Sequence, residues 1–211
     1  MHLFIRRARM APGQTRASMA WAVEITDRVR QVTGMDVSLH ALVLSPDVGE
    51  VAWRTLAEDM AALETAFDKL LIDDFFVAEQ DRAASFTLGP PTDTLQRIVH
   101  GELPRDPLAY ASMITTTCRP GRIEPGMTAA IELATRATEI SGAQTAVTMH
   151  ETGPYGTISW ITPHPGIESL DAADEALATD AGWAGFVDER VADNYADDPM
   201  ASVRRIYRRI A

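Results

Sequence analysis

The sequence is short of cysteine and lysine, with one of each among 211 residues. Cys118 has no partner for an internal disulfide, and a cysteine-rich metal site is excluded. Lys69 lies in a helical pattern, which nearly excludes a Schiff-base lysine or the lysine of a phosphate-binding loop. Because the other basic residues are arginines, we attribute the lack of lysine to codon bias in a high-GC genome, such as that of an actinobacterium.

Long apolar stretches are also missing. No uncharged run approaches the roughly 18 residues of a membrane-spanning helix, and Met1–Met10 lacks the apolar core of a signal peptide. The net charge is −11, whereas binding to nucleic acid or to an anionic membrane surface requires clustered Lys and Arg. We therefore expect a cytoplasmic protein that binds neither nucleic acid nor membrane.

An internal repeat organises the chain. With a shift of 108 positions, reduced to 107 after one turn, the sequence aligns with itself at ordered and almost evenly spaced positions. The matching pairs include Pro12 with Pro120, Met19 with Met127, Ala22 with Ala130, Glu24 with Glu132, Arg28 with Arg136, Gly34 with Gly142 and Trp53 with Trp160. We interpret the chain as a tandem duplication with the repeats Met1–Arg105 and Asp106–Ala211.

Each repeat has the same predicted order of elements. A short strand precedes a helix whose apolar positions recur every three or four residues, and a glycine ends that helix. A hairpin then leads into a tryptophan-bearing strand, followed by a second helix and a closing strand. The closing strands are expected at Thr94–His100 and Ser202–Arg208, and Asp73-Asp74 is interpreted as a solvated turn. The order βαββαβ, found twice, is the ferredoxin-like pattern.

A single ferredoxin-like unit covers one face of its sheet with helices and leaves the other face bare. Two such units can bury their bare faces sheet to sheet. We therefore predict an α+β fold of two tandem ferredoxin-like units packed as an intrachain pseudo-dimeric α+β barrel. The polar segment Gly101–Pro107 is the expected linker. The protein is expected to be a monomer with pseudo-two-fold symmetry or a homo-oligomer.

These features resemble the dimeric α+β barrel superfamily, particularly its antibiotic-biosynthesis-monooxygenase-like and NIPSNAP-like branches. The resemblance rests on the first helix ending in Thr33-Gly34 or Ser141-Gly142, the hairpin, and the strand of Trp53 or Trp160 before the second helix. It implies a pocket between sheet and helices. The superfamily includes cofactor-free monooxygenases, haem-binding and haem-degrading enzymes, small-molecule isomerases and proteins with no known reaction. Neither second helix has a clear counterpart of the family's haem-ligating histidine.

Two tryptophans are candidate pocket residues. Trp53 and Trp160 occupy equivalent positions in the two repeats. Core packing explains them most simply, because an indole buries about 200 Å². Alternatively, they line a pocket for an aromatic or polycyclic ligand.

Histidines supply the candidate acid–base groups, although none is repeated. His40 and His150 lie on second strands, where they could act as a base or bind haem, and His164 lies where a strand gives way to a helix. His150, Trp160 and His164, with Tyr155 nearby, fall within fifteen residues, so we expect the second repeat to carry the site. We favour His150 with Trp160 and keep His164 as the second choice.

Other site classes find little support. No His-x-x-x-His pair, carboxylate cluster or Gly-rich phosphate loop is present, so we expect no metal. Glu24 with Arg28, and Glu132 with Arg136, are expected to form a repeated ion pair on the helix surface, or a symmetric interface.

The sequence leaves the function open between two classes. One is a small-molecule pocket enzyme that takes a hydrophobic or aromatic molecule, either a monooxygenase without a cofactor or a haem-handling protein. The other is a non-catalytic binding or assembly module of the same fold. The cofactor stays undecided. We favour a protein without a cofactor, with haem as the alternative.

Overall fold

The structure is a computed structural model that describes residues 1–197 and 202–211. In these residues we find eight strands and six helices. The strands are β1 (His2–Arg9), β2 (Val37–Val43), β3 (Glu50–Ala57), β4 (Thr92–His100), β5 (Tyr110–Thr117), β6 (Ala146–His150), β7 (Thr157–His164) and β8 (Val203–Arg209). The helices are α1 (Thr15–Thr33), α2 (Met60–Leu71), α3 (Asp74–Ala83), α4 (Ile123–Ser141), α5 (Ile167–Thr179) and α6 (Trp183–Val191).

The chain folds as two compact units. The first contains residues 1–95 and 208–211, and the second contains residues 96–207, so the boundaries fall inside β4 and β8. The fold class expected from the sequence, an α+β barrel of two tandem ferredoxin-like units, is confirmed. The repeat boundary between residues 105 and 106 stays a prediction.

The first unit has the strand order β4-β1-β3-β2, all antiparallel neighbours, which is the ferredoxin-like order. Trp53 on β3 lies opposite Arg6 on β1 and Leu39 on β2. A cluster of buried apolar side chains, including Trp21, Ile25 and Leu70, packs between this sheet face and the helices. Trp53 is thus on the face of the sheet that the helices cover.

The second unit repeats this arrangement as β8-β5-β7-β6. Trp160 on β7 lies opposite Ile114 on β5 and Val147 on β6, in the same relative register as Trp53. Helix α4 ends at Gly142 with φ 70°, and α1 ends at Gly34 with φ 74°. Both are left-handed C-caps, which glycine adopts without steric cost, so the predicted helix ends are confirmed.

The structure adds a third helix to each repeat, where the sequence predicted two. Asp73 is the N-cap of α3 and accepts a hydrogen bond from the Phe76 backbone N–H at 2.9 Å, so it does not lie in a solvated turn. Phe76 is buried in the core of the first unit. Helix α6 is the counterpart in the second unit. Both helices are short and only one side of each is apolar, which makes their pattern weak in sequence.

The expected ion pair along each first helix is also corrected. Arg28 forms a bidentate pair with Asp73 at the start of α3, and Arg136 approaches Asp180 at 3.5 Å. Glu132 accepts a hydrogen bond from Arg190 on α6. The repeated arginine therefore joins its helix to the segment before the third helix of its own unit, which the sequence did not reveal because that helix was not predicted.

Among the described residues, we find no helix with the length and apolarity that crossing a bilayer requires.

Candidate functional site

A cavity of about 450 Å³ lies in the second unit, between the helix-covered face of the sheet and helices α4 to α6. Most of its wall is apolar, formed by Ile114, Leu133, Trp160, Leu177, Trp183 and Val187. Its polar groups come from the sheet and from α5, and they include Ser112, His164, Asp174 and Arg204. An apolar cavity with a few polar groups is the usual form of a small-molecule site.

Trp160 forms a fixed aromatic wall of this cavity. Its indole Nε1–H donates a hydrogen bond to the Ala130 carbonyl of α4 at 2.9 Å. Its ring meets Tyr195 edge to face, with centroids 5.7 Å apart. Because both contacts hold the indole in place, the ring offers a preorganised surface for an aromatic ligand.

His164 is the last residue of β7 and is only 2% exposed. Its Nδ1 lies 3.5 Å from the Ser169 hydroxyl on α5. Burial lowers the pKa of His164, an effect that Asp174 opposes and Arg204 reinforces. The imidazole is therefore neutral near pH 7 and can accept a proton.

Arg204 and Asp174 form an ion pair in the cavity wall, with Arg204 Nη2 and Asp174 Oδ1 2.8 Å apart. Arg204 Nε also donates to the Ser112 hydroxyl at 2.9 Å. These two contacts fix the guanidinium beside His164. A hydrogen-bond donor with a fixed position can hold a ligand oxygen that gains negative charge.

His150 lies on the opposite face of the sheet from Trp160. In the pairing of β6 with β7, Val147 is opposite Trp160, so His150 takes the other side of the pleat. Its Nε2 is 2.9 Å from the Ser159 hydroxyl, which in turn is 2.9 Å from Thr115 Oγ1. The favoured combination of His150 with Trp160 is therefore not brought together, whereas His164 and Trp160 line one cavity.

The remaining predicted residues lie outside this cavity. Tyr155 is 84% exposed in the turn between β6 and β7, which corrects its assignment to a pocket wall. His40 is buried on β2, next in sequence to Leu39, which lies opposite Trp53. His40 therefore faces the other side of the sheet and does not line the cavity of Trp53.

The first unit has an equivalent but smaller cavity of about 100 Å³, bordered by Trp53. Phe4 and Phe67 stand at the positions of Ser112 and Asp174, and their rings meet edge to face at 5.5 Å. Ala57 stands where the second repeat has His164. The polar groups of the larger cavity are thus replaced by aromatic packing in the first unit.

Sequence reasoning missed Ser112, Asp174 and Arg204. All three differ between the repeats. At two of them the difference was a usable signal, because the polar Ser112 and Asp174 stand where the first repeat has Phe4 and Phe67, whereas Arg204 replaces the polar Gln96. Among the described residues, no group of three or more His, Cys, Asp and Glu side chains could hold a metal ion.

No family model matches the chain, and no curated protein matches its sequence. Solved structures do resemble it. A proposed monooxygenase from Fusobacterium nucleatum subsp. nucleatum gives a TM-score of 0.71 at 7% identity, over 100% of this chain and 92% of that chain. The likeness is one of fold, an α+β arrangement with the element order described above.

Two further matches show how varied the proteins with this fold are. An anthrone oxidase-like protein gives a TM-score of 0.70 at 12% identity, over 100% of this chain and 91% of that chain. A major regulator of staphylococcal pathogenesis gives 0.59 at 6% identity, over 100% of both chains. At these identities the likeness establishes the fold alone.

Proposed function

We propose that the second unit binds a small aromatic molecule against Trp160, and that its site oxidises this molecule with O₂ without a cofactor. His164 acts as the base. The observation that carries the proposal is a buried histidine with a lowered pKa, placed in the wall of a cavity that has a fixed indole. An acid–base group, an aromatic surface and a hydrogen-bond donor together are the components of a pocket reaction.

The cavity favours a polycyclic phenol or an anthrone-type ketone as the substrate class. Trp160 and Trp183 offer aromatic surfaces, and the volume of about 450 Å³ lies in the range of small-molecule sites. Arg204 offers its guanidinium to a phenol or ketone oxygen. The names of the structural matches, a proposed monooxygenase and an anthrone oxidase-like protein, support this choice as analogy.

The reaction balances with O₂ as the co-reactant. His164 removes a proton from an acidic CH₂ group, and the resulting carbanion, delocalised onto the ketone oxygen, is stabilised by Arg204. The carbanion adds O₂, and return of the proton gives a hydroperoxide. Loss of water from R₂CH–OOH leaves R₂C=O, so the sum is R₂CH₂ + O₂ → R₂C=O + H₂O. The contact of Nδ1 with Ser169 leaves Nε2 of His164 for the proton exchange.

Haem fits this cavity less well than such a substrate. Haem carries two propionates, while the described cavity wall has a single cationic side chain, Arg204, which already pairs with Asp174. His164 Nδ1 is engaged with Ser169. An absorbance spectrum after addition of haemin tests this point, because a stable Soret band that disappears in His164→Ala would favour the haem alternative.

The alternative function is ligand binding without catalysis. The regulator that shares the fold over the full length of both chains favours it as analogy. In that case the same cavity binds an aromatic ligand, and His164 contributes a hydrogen bond without transferring a proton.

Anthrone in aerated buffer is the test substrate, with anthraquinone formation and O₂ uptake as the readouts. We expect His164→Gln to lower the rate by about 100-fold or more, because positioned bases contribute at least that factor. Anthrone binding, followed by tryptophan fluorescence, should persist in this variant. His150→Gln is the matched control, since it changes a histidine on the other sheet face.

The outcomes separate the two functions. Equal oxidation rates for the wild type and His164→Gln would remove the proposed base. Binding of anthrone with no oxidation above the protein-free rate would favour the non-catalytic alternative. Absence of binding by the wild type would contradict the proposed substrate class.

A further inference from the structure

Two residues that border the cavity of the first unit each have a buried polar atom without a partner. The atoms are Trp21 Nε1, on α1, and Thr55 Oγ1, on β3, and both residues are 5% exposed. We propose that this cavity is a separate binding site for a small neutral aromatic molecule with one hydrogen-bonding oxygen, such as a phenol. The proposal concerns a different cavity from that of the proposed function and does not depend on it.

The aromatic side chains around the cavity fix the position of the Trp21 indole. Its ring stacks on Phe86 with centroids 5.5 Å apart, and it meets Trp53 edge to face at 6.0 Å. With its plane held by two neighbours, the indole cannot turn its N–H toward solvent without losing both contacts. The donor is therefore preorganised for an acceptor inside the unit.

Comparison with the second unit shows why the Trp21 indole N–H and the Thr55 hydroxyl have no hydrogen-bond partner. There, Thr162 stands at the position of Thr55, and its hydroxyl is 2.8 Å from that of Thr145. The first unit has Val37 at the position of Thr145, so the Thr55 hydroxyl loses that partner. At the position of Trp21 the second unit has Ala129.

The indole N–H of Trp53, on β3, already has a hydrogen-bond partner within the protein. Trp53 Nε1 already donates to Thr26 Oγ1 at 2.9 Å, as Trp160 Nε1 does to the Ala130 carbonyl. Trp21 is thus an added donor that the first unit has and the second lacks. A buried donor or acceptor without a partner is costly, and a hydrogen bond to a ligand oxygen would remove that cost.

The charges of the wall point to a neutral ligand. The described cavity wall contains no Asp or Glu, and most of its members are apolar or aromatic. Arg6 and Arg54 also border it, but each already has a carboxylate nearby. Both terminal oxygens of Asp93 accept hydrogen bonds from Arg6 at 2.8 Å, and Arg54 interacts electrostatically with Asp36. A carboxylate ligand would have to compete with Asp93, whereas a phenol needs only an acceptor and donor pair.

Phenol and toluene are the test probes, because they have the same number of non-hydrogen atoms and differ in the hydroxyl. In protein labelled with ¹⁵N at tryptophan, Trp21→Phe assigns the indole N–H signal of Trp21. We expect phenol to move this signal downfield and to bind more tightly than toluene. Trp21→Phe and Thr55→Val should each reduce the preference for phenol over toluene by about five- to tenfold, the usual effect of one hydrogen bond.

Two further variants keep the test decisive. Thr55→Ser retains the hydroxyl and should retain the preference for phenol. Thr162→Val, the equivalent change in the second unit, should leave the phenol shift of the Trp21 signal unchanged. The proposal is overturned if phenol and toluene act alike on the Trp21 signal, if Thr55→Val binds phenol as the wild type does, or if neither probe binds.

Discussion

His40 couples the stability of the first unit to pH. Burial lowers the pKa of this side chain to about 4, with smaller contributions in the same direction from Arg54 and Arg209. The unfolded chain has the ordinary histidine pKa of about 6.5. Between these two values the unfolded state binds a proton that the folded state does not, so acid favours unfolding.

We predict that the free energy of unfolding falls as the pH drops from about 6.5 to about 4. A difference of about 2.5 pKa units corresponds to about 3 kcal/mol at the acid end, since one unit is about 1.4 kcal/mol. His40→Thr, the residue of the second repeat at this position, should flatten this dependence. Urea unfolding curves at several pH values measure it. A variant that keeps the full acid sensitivity would show that other groups cause it.

The histidines also show how far the sequence determines a site. Alternation along a strand separates His150 from its neighbour Glu151, and this follows from the sequence alone. Whether His150 shares a face with Trp160 depends on the register of the hairpin, in which Met149 lies opposite Ile158. The turn between β6 and β7 allows either register. The sequence therefore did not decide whether His150 shares the sheet face of Trp160.

At the scale of the helices, the predicted stripes of α1 and α4 and their glycine ends are confirmed, because long periodic patterns and left-handed caps are strong signals. Helices α3 and α6 were missed. Their nine or ten residues give barely three turns, and tertiary contacts such as the burial of Phe76 stabilise them. Local patterns do not contain those contacts.

Gly126 in α4 is held by a close contact across the second unit. A Cβ at this position would lie 2.7 Å from Cys118 Sγ, closer than any relaxed contact. The Gly126 carbonyl also accepts a hydrogen bond from the Tyr195 hydroxyl at 2.7 Å, so the helix cannot easily move away. The residue is therefore fixed by packing and not by helix propensity.

We predict that Gly126→Ala destabilises the protein by about 1–3 kcal/mol, as overpacking does. Helix propensity alone predicts the opposite, because Ala is more favourable than Gly in a helix by about 1 kcal/mol. Cys118→Ala should rescue the Gly126→Ala variant, giving a large coupling in a double-mutant cycle followed by urea unfolding. Gly185→Ala in α6 is the control, since a Cβ there meets nothing within 4 Å and should cost little. Additive effects of the two changes would contradict the contact.

At the scale of the whole molecule, the duplication gives two units with one plan and two different cavities. The plan was predictable because glycine caps, hairpins and tryptophan positions recur at a constant spacing. The difference between the two cavities was not predictable, because it depends on side chains from separate strands and helices. Ser112, His164, Asp174 and Arg204 come from three strands and a helix, and only folding brings them to one cavity.

The difference between the two cavities can be tested by substituting residues of the first repeat into the second. We predict that replacing the four polar residues of the second cavity by their counterparts in the first repeat abolishes binding of an aromatic ligand there. The changes are Ser112→Phe, His164→Ala, Asp174→Phe and Arg204→Gln, which introduce the residues found at Phe4, Ala57, Phe67 and Gln96. The two phenylalanines should pack edge to face as Phe4 and Phe67 do, and place two rings in the space that the ligand would occupy. Because both side chains of the Arg204–Asp174 pair are about 40% exposed, removing the pair should cost little, and the cooperative unfolding transition should persist. Anthrone titration followed by tryptophan fluorescence measures the binding, and thermal unfolding checks the fold. The single change Asp174→Phe is the control: it adds one ring but leaves Ser112, His164 and Arg204 in place, so it should weaken binding less than the fourfold change. A fourfold variant that folds and still binds anthrone as the wild type does would show that the ligand site lies elsewhere in the chain.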